Sequence, residues 1–134
     1  MAKILIAEDD VAEAKVYERA FSLSGHIVEV VNDGEEVFKK LKEAFAKPDV
    51  IVLDMVMPNL GGLGVIQRIK EDPEWENFKN IPIVLLTNLP KLSGSDDVRK
   101  AMDKGAEMYL LKSMYDPVAI VKKVEGIIIK SGGF

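Results

Sequence analysis

The chain has no cysteine and a single histidine, His26, among its 134 residues. The first absence removes disulfides, thiolate catalysis and sulfur metal sites, and the second removes most imidazole-based constellations. Oxygen ligands and carboxylate chemistry remain. No apolar run approaches the roughly 20 residues needed to cross a bilayer. The opening MAKILIAEDD lacks the basic, apolar and small-residue order of a secretory leader. A cytoplasmic protein with no membrane partner is expected. There is no excess of basic residues either, since 18 Lys and Arg stand against 22 Asp and Glu, for a net charge of -4. That balance argues against nucleic acid as a direct partner, because such binding rests on neutralising phosphates. No glycine-rich phosphate loop follows the first apolar run, which excludes a nucleotide-binding reading. No internal repeat, low-complexity tract or hairpin signal appears.

What is present is a hydrophobic fraction of 48 %, too high for a disordered chain. The length fits one domain over residues 1–130 followed by a tail at 131–134. Lys3 to Ala7 is a short apolar strand, and Asp10 is placed to cap a helix with Ala14, Tyr17, Ala20 and Phe21 on its apolar face. Ile27 to Val31 is the second strand. Asn32, Asp33 and Gly34 turn into a helix whose buried stripe is expected to be Val37, Phe38, Leu41 and Phe45. Val50 to Leu53 is an unbroken apolar, β-branched run that ends in Asp54, and Met55 to Gly62 cannot continue a central strand. A third helix carries Leu63, Ile66, Ile69 and Lys70 and closes at Asp72-Pro73. Trp75 and Phe78 then form an extra turn expected to pack over the core.

Ile81 to Leu86 is the fourth strand and delivers Thr87. A helix opening between Ser93 and Asp97 has a thin stripe of Val98, Ala101 and Met102. Glu107 to Leu111 is the fifth strand and delivers Lys112. Asp116 and Pro117 open a last helix with Ile120, Val121, Val124, Ile127 and Ile128 on a broad apolar face. Five strands alternating with five helices predict an α/β fold, a doubly wound parallel sheet in a three-layer sandwich. Right-handed crossovers bring Glu8, Asp9, Asp54, Thr87 and Lys112 to one edge of that sheet. Clustered carboxylates repel one another unless a cation compensates, so Glu8, Asp9 and Asp54 imply a bound hard metal, for which magnesium is the physical choice.

In their order and spacing, ILIAEDD, VIVLDMVMPNLGG, IPIVLLT and GAEMYLLK resemble the receiver domains of two-component response regulators. The resemblance covers nearly the whole chain. It implies a flavodoxin-like fold with strand order 2-1-3-4-5, whose ligands bind where the winding reverses. It also implies that Asp54 is the phosphoacceptor. Magnesium would be held directly by Asp9 and Asp54, by Glu8 through water and by the backbone carbonyl of Val56. Thr87 and Lys112 would contact the phosphoryl group, and Thr87 and Tyr109 would form a switch.

A receiver of this kind is expected to stand alone and to act by binding rather than as an enzyme, although it assists its own phosphorylation and dephosphorylation. Its expected partners are a sensor histidine kinase or histidine phosphotransfer protein, and a downstream protein at the fourth helix, fifth strand and fifth helix. It would be a monomer or a phosphorylation-dependent dimer. The alternatives are a constitutive interaction module on the same fold and a phosphotransferase of the haloacid dehalogenase type, whose second aspartate is replaced here by Val56.

Two positions depart from the family. Ser113 follows Lys112 where receivers usually have a proline in a cis peptide. A cis bond before a non-proline costs about 2.5–4 kcal/mol, so the loop is either trans and reshaped or held cis by other contacts. Asn88 follows Thr87 where a small residue is common. The resemblance implies that Val56 and Leu89, two residues beyond Asp54 and Thr87, lie nearest the path of an attacking water, and neither offers it a hydrogen bond, so slow hydrolysis of the phosphorylated form is expected.

Overall fold

The computed structural model of the protein describes residues 1–88 and 96–132. The apolar runs become β1 (Lys3–Ala7), β2 (Ile27–Val31), β3 (Val50–Leu53), β4 (Ile83–Thr87) and β5 (Met108–Leu111). Between and after them lie α1 (Val11–Leu23), α2 (Gly34–Glu43), α3 (Gly62–Glu71), α4 (Asp97–Asp103) and α5 (Pro117–Lys130). Every strand pairing is parallel and the order is β2-β1-β3-β4-β5. The expected doubly wound sheet is therefore observed.

Alternation along each strand sorts side chains into two cores. Leu5, Ile51, Leu53, Ile83 and Leu85 pack with Val37, Phe38, Val65, Ile66, Ile69 and Val98 from α2, α3 and α4. Ile4, Ile6, Val50, Val52 and Val84 pack instead with Tyr17, Phe21, Ile120, Val121 and Val124 from α1 and α5. Each fully buried aliphatic side chain contributes about 1.5–3 kcal/mol, which outweighs the weak local preferences of four- and five-residue strands. The helices start where the sequence places caps. Asp10, Asp33 and Asp116 accept from the backbone N–H of Glu13, Glu36 and Ala119 at 3.0, 2.9 and 2.8 Å. Each such cap is worth about 1 kcal/mol.

The winding reverses at the seam between β1 and β3. Ala7 pairs with Leu53 at the end of that seam, and the Asp54 N–H donates to the Ala7 carbonyl at 3.0 Å. On the other side of β1, the Glu8 N–H donates to the Val31 carbonyl at 3.0 Å. The ladder thus extends one residue past each strand, and Glu8 and Asp54 leave the sheet side by side. At the opposite edge His26 is buried, accepting at Nδ1 from the Ala2 N–H at 3.1 Å and pairing through Nε2 with Glu125 at 2.7 Å.

Several expectations shift. Phe45 does not join the buried stripe of α2, because the helix ends at Glu43, Ala44 turns to extended backbone, and Phe45 is fully exposed. The cause lies at the entry to β3, where the Asp49 carboxylate accepts from the Lys3 N–H at 2.8 Å and the Lys3 ammonium donates to the Ala46 carbonyl at 2.8 Å. Those bonds draw the chain toward β1 before a further helical turn can form. The ring that does cover Phe38 is Trp75, 4.7 Å away between centroids, on the expected extra turn at Pro73–Phe78. On α3 the buried positions are Gly62, Val65, Ile66 and Ile69, while Leu63 and Lys70 are half-buried. β4 begins at Ile83 and includes Thr87, and α4 begins at Asp97 with Val98 and Ala101 buried. Ser93, Leu89 and residues 133–134 lie outside the described residues.

Phe45→Ala should leave the unfolding free energy from urea titration within about 0.5 kcal/mol of wild type, whereas Phe38→Ala should cost about 3–5 kcal/mol. Equal losses for the two variants would return Phe45 to the core.

Candidate functional site

Four of the five strands hand polar groups to the same edge. Glu8 and Asp9 follow β1, Asp54 follows β3, Thr87 ends β4 and Lys112 follows β5. Because both faces of the sheet are covered, these strand ends are where charged groups can meet without entering the core. Glu8, Asp54 and Thr87 are nonetheless buried, at 3, 8 and 1 % exposure, while Asp9 is exposed. The groups line a cleft of 340 Å³ together with Asp10, Glu13, Val56, Asn88 and Lys112. A larger cleft of 490 Å³ between α2, α3 and the Trp75 turn is less suited to chemistry. Four of its charged groups are already paired, Arg68 with Glu35 at 2.9 Å and Lys42 with Glu74 at 3.3 Å.

Lys112 organises the smaller cleft. Its ammonium donates to Glu8 Oε1, to Glu13 Oε2 at 2.9 Å and to Asp54 Oδ2 at 3.1 Å. Asp54 Oδ1 receives the Val56 N–H at 3.4 Å, a long contact, and Glu8 Oε2 receives the Asp10 N–H at 3.1 Å. The Asn32 amide donates to the Glu8 carbonyl at 3.0 Å and fixes the acidic loop to the end of β2. Burial pushes the Glu8 carboxyl up to about 8, opposed by the Lys112 hydrogen bond and reinforced by Asp54. Burial also works against the Lys112 charge, but Glu8, Glu13 and Asp54 outweigh it and hold the ammonium above its ordinary value. Lys112 stays a cation.

Among the described residues, five carboxyl groups and one ammonium line this cleft. One oxygen each from Glu8, Asp9 and Asp54 lies within 4.8 Å of the others. Such a donor set, all oxygen and in excess of the positive charge at hand, fits a hard divalent cation. The peptide after Lys112 is trans, as are all peptides among the described residues. Of the two possibilities left by Ser113, the reshaped loop is the one realised, with Lys112–Met114 as a single turn of 3-10 helix that still brings the ammonium to Asp54. Tyr109 is half-buried on β5 and packs against the core shared with α4.

Glu13 was not foreseen as part of this site. Three residues after the Asp10 cap it reads as the far half of a capping box, whose side chain returns to the cap N–H. Here Glu8 satisfies that N–H, which leaves the Glu13 carboxylate to turn toward Lys112. An acid with no capping duty, one helical turn from an acidic loop, is the signal that would have found it.

The family model described as a response regulator receiver domain matches residues 4–125. A probable transcriptional regulator ycf27 from Guillardia theta is 30 % identical over 126 residues, covering 94 % of this chain and 45 % of that protein. The response regulator MprA of Mycobacterium leprae is 34 % identical over 110 residues, covering 82 % of this chain and 44 % of that protein. The chain spans about half the length of the curated relatives it matches. In fold it is similar to a CheY-like receiver domain protein from Methanospirillum hungatei, with a TM-score of 0.84 at 17 % identity over 99 % of this chain and 98 % of that one. A signal receiver domain of a histidine kinase from Syntrophus aciditrophicus gives 0.81 at 27 % identity over 97 % and 92 %. With that match across nearly its whole length and the same order of five parallel strands, the chain belongs to the receiver domains of two-component response regulators.

Proposed function

We propose that the chain is a magnesium-dependent phosphoacceptor that takes a phosphoryl group on Asp54 and then changes its affinity for a protein partner. The observation that carries this reading is the contact between Asp54 and the Lys112 ammonium, 3.1 Å long, beside two further carboxylates that can hold a cation. Magnesium would be held by Glu8, Asp9, Asp54 and the backbone carbonyl of Val56, and when bound it would neutralise charge on the transferring oxygens.

The chain's own groups do the rest. Asp54 is a carboxylate nucleophile fixed at a strand end, where the Ala7 carbonyl holds its backbone. Lys112 supplies a charge-assisted donor aimed at the acceptor, and Thr87 at the end of β4 supplies a hydroxyl to a phosphoryl oxygen. The donor is a phosphohistidine on a sensor kinase or phosphotransfer protein. Exposed Val11, Val56 and Met114, on the segments that leave β1, β3 and β5, offer such a protein apolar contact around the cleft. The protein is not an enzyme in the turnover sense, and its place of action is the cytoplasm.

The signal leaves through Thr87 and Tyr109 toward α4, β5 and α5. The seven-residue α4 buries only Val98 and Ala101, so it is the helix most easily displaced. The output is a protein contact on that surface and not direct contact with nucleic acid.

Incubation with acetyl phosphate and magnesium should add one phosphoryl group by intact mass, and Asp54→Asn should abolish it while melting at or above the wild-type temperature. Label surviving in Asp54→Asn would move the acceptor elsewhere. Millimolar magnesium should raise the melting temperature, worth about 1–3 kcal/mol at 10 to 100 times the dissociation constant. Asp9→Ala should erase most of that rise, and an unchanged rise would misplace the metal. Once donor is removed, phosphorylated Val56→Asn should decay faster than wild type, because an amide can hold the attacking water that a valine cannot. Equal decay rates would assign water positioning to another group.

A further inference from the structure

An ammonium group has three protons and accepts nothing. On Lys112 all three are engaged, by Glu8, Glu13 and Asp54, and the side chain is only 7 % exposed. A phosphoryl group on Asp54 presents new anionic oxygens to the same ammonium. For Lys112 to donate to one of them, a present acceptor must let go. The three acceptors differ in freedom. Glu8 is 3 % exposed in its side chain and its second oxygen is committed to the Asp10 N–H. Asp54 carries the reacting atom and is 10 % exposed in its side chain. Glu13 is 37 % exposed, stands on the first turn of α1, and has Lys112 as its only side-chain partner among the described residues.

We propose that Glu13 is a positioning residue for phosphoryl transfer: it holds Lys112 in the unphosphorylated protein and releases one of the lysine protons to the incoming phosphoryl group. This rests on Asp54 as the acceptor. In the step itself a carboxylate oxygen of Asp54 forms the new bond to phosphorus. The donor's phosphorus–nitrogen or phosphorus–oxygen bond breaks, and its electron pair leaves with the donor. Lys112 keeps all three protons and exchanges one hydrogen bond, from Glu13 to a phosphoryl oxygen, while the Glu13 carboxylate turns into water. Holding the lysine adds the breaking of a part-exposed ion pair to the transfer, while Glu8 and Asp54 keep the ammonium within reach of the acceptor once Glu13 lets go.

The test compares wild type, Glu13→Gln, Lys112→Ala and the double variant, each as the full chain with acetyl phosphate and magnesium, following phosphorylation by intact mass. Glu13→Gln should raise the rate by about two- to fivefold, the worth of one part-exposed ion pair. The same change should do nothing in the Lys112→Ala background. Simple repulsion of an anionic donor by Glu13 would instead persist there, and persistence overturns the proposal, as does an equal rate for wild type and Glu13→Gln. A second reading needs neither donor nor metal. The Lys112 Nζ resonance of the metal-free protein should shift in Glu13→Gln and stay in place in Glu18→Gln, which removes the same charge elsewhere on α1. An unmoved resonance in Glu13→Gln overturns the proposal even where Lys112→Ala takes no label. Wild type that takes no label at Asp54 overturns the acceptor reading itself, a result distinct from labelled protein indifferent to Glu13.

Discussion

A parallel sheet covered by helices on both faces leaves charged groups only the strand ends, and at this sheet's carboxyl edge most of those groups are acids. Like charges at such spacing repel strongly in a partly buried cleft. What makes the arrangement tolerable is the ammonium of Lys112, reaching Glu8, Glu13 and Asp54 from the end of β5. The contact spans nearly the whole sequence, so it forms only once β1, β3 and β5 are in register. Fold and site are therefore not separable, since the core delivers the charges and the lysine lets the core close around them.

The floor beneath Asp54 is equally constrained. The segment after β3 folds back so that the Gly62 N–H donates to the Met55 carbonyl at 3.0 Å. A side chain at Gly62 would meet the Asp54 carbonyl at 2.6 Å, and one at Gly34 would meet the Leu60 carbonyl at 2.0 Å. Asn59 adopts a φ of 66°, a conformation asparagine tolerates, and its amide donates to the Asp33 cap of α2 at 3.0 Å. Placement of a nucleophile to within a fraction of an ångström comes from such supports. Here they tie the Asp54 loop to the start of the second helix.

The fold was legible because its signals are local and agree with one another. Predominantly apolar runs gave the strands, and Asp10, Asp33 and Asp116 marked helix starts that the structure keeps. The polar set at the edge was legible for a related reason: a run such as VIVLD ends a buried strand on a charge, and four strands ending on polar groups in alternating topology have one place to put them. What was not legible depends on partners distant in sequence. Phe45 had the right helical spacing, but contacts from Lys3 to Asp49 and Ala46 decided where the helix stopped. Glu13 was hidden by a capping pattern that Glu8 had already completed. The trans peptide at Ser113 could be posed as a choice, and the folded loop made it.

The His26 cluster has a consequence for attachment. Its imidazole joins Ala2, the first residue before β1, to Glu125 on the last helix, so both ends of the described chain gather at the amino edge of the sheet. Strands of five residues put that edge about 17 Å from the cleft. A fluorophore, an affinity handle or another folded unit joined at either end would project from the far side and leave the approach to Asp54 clear.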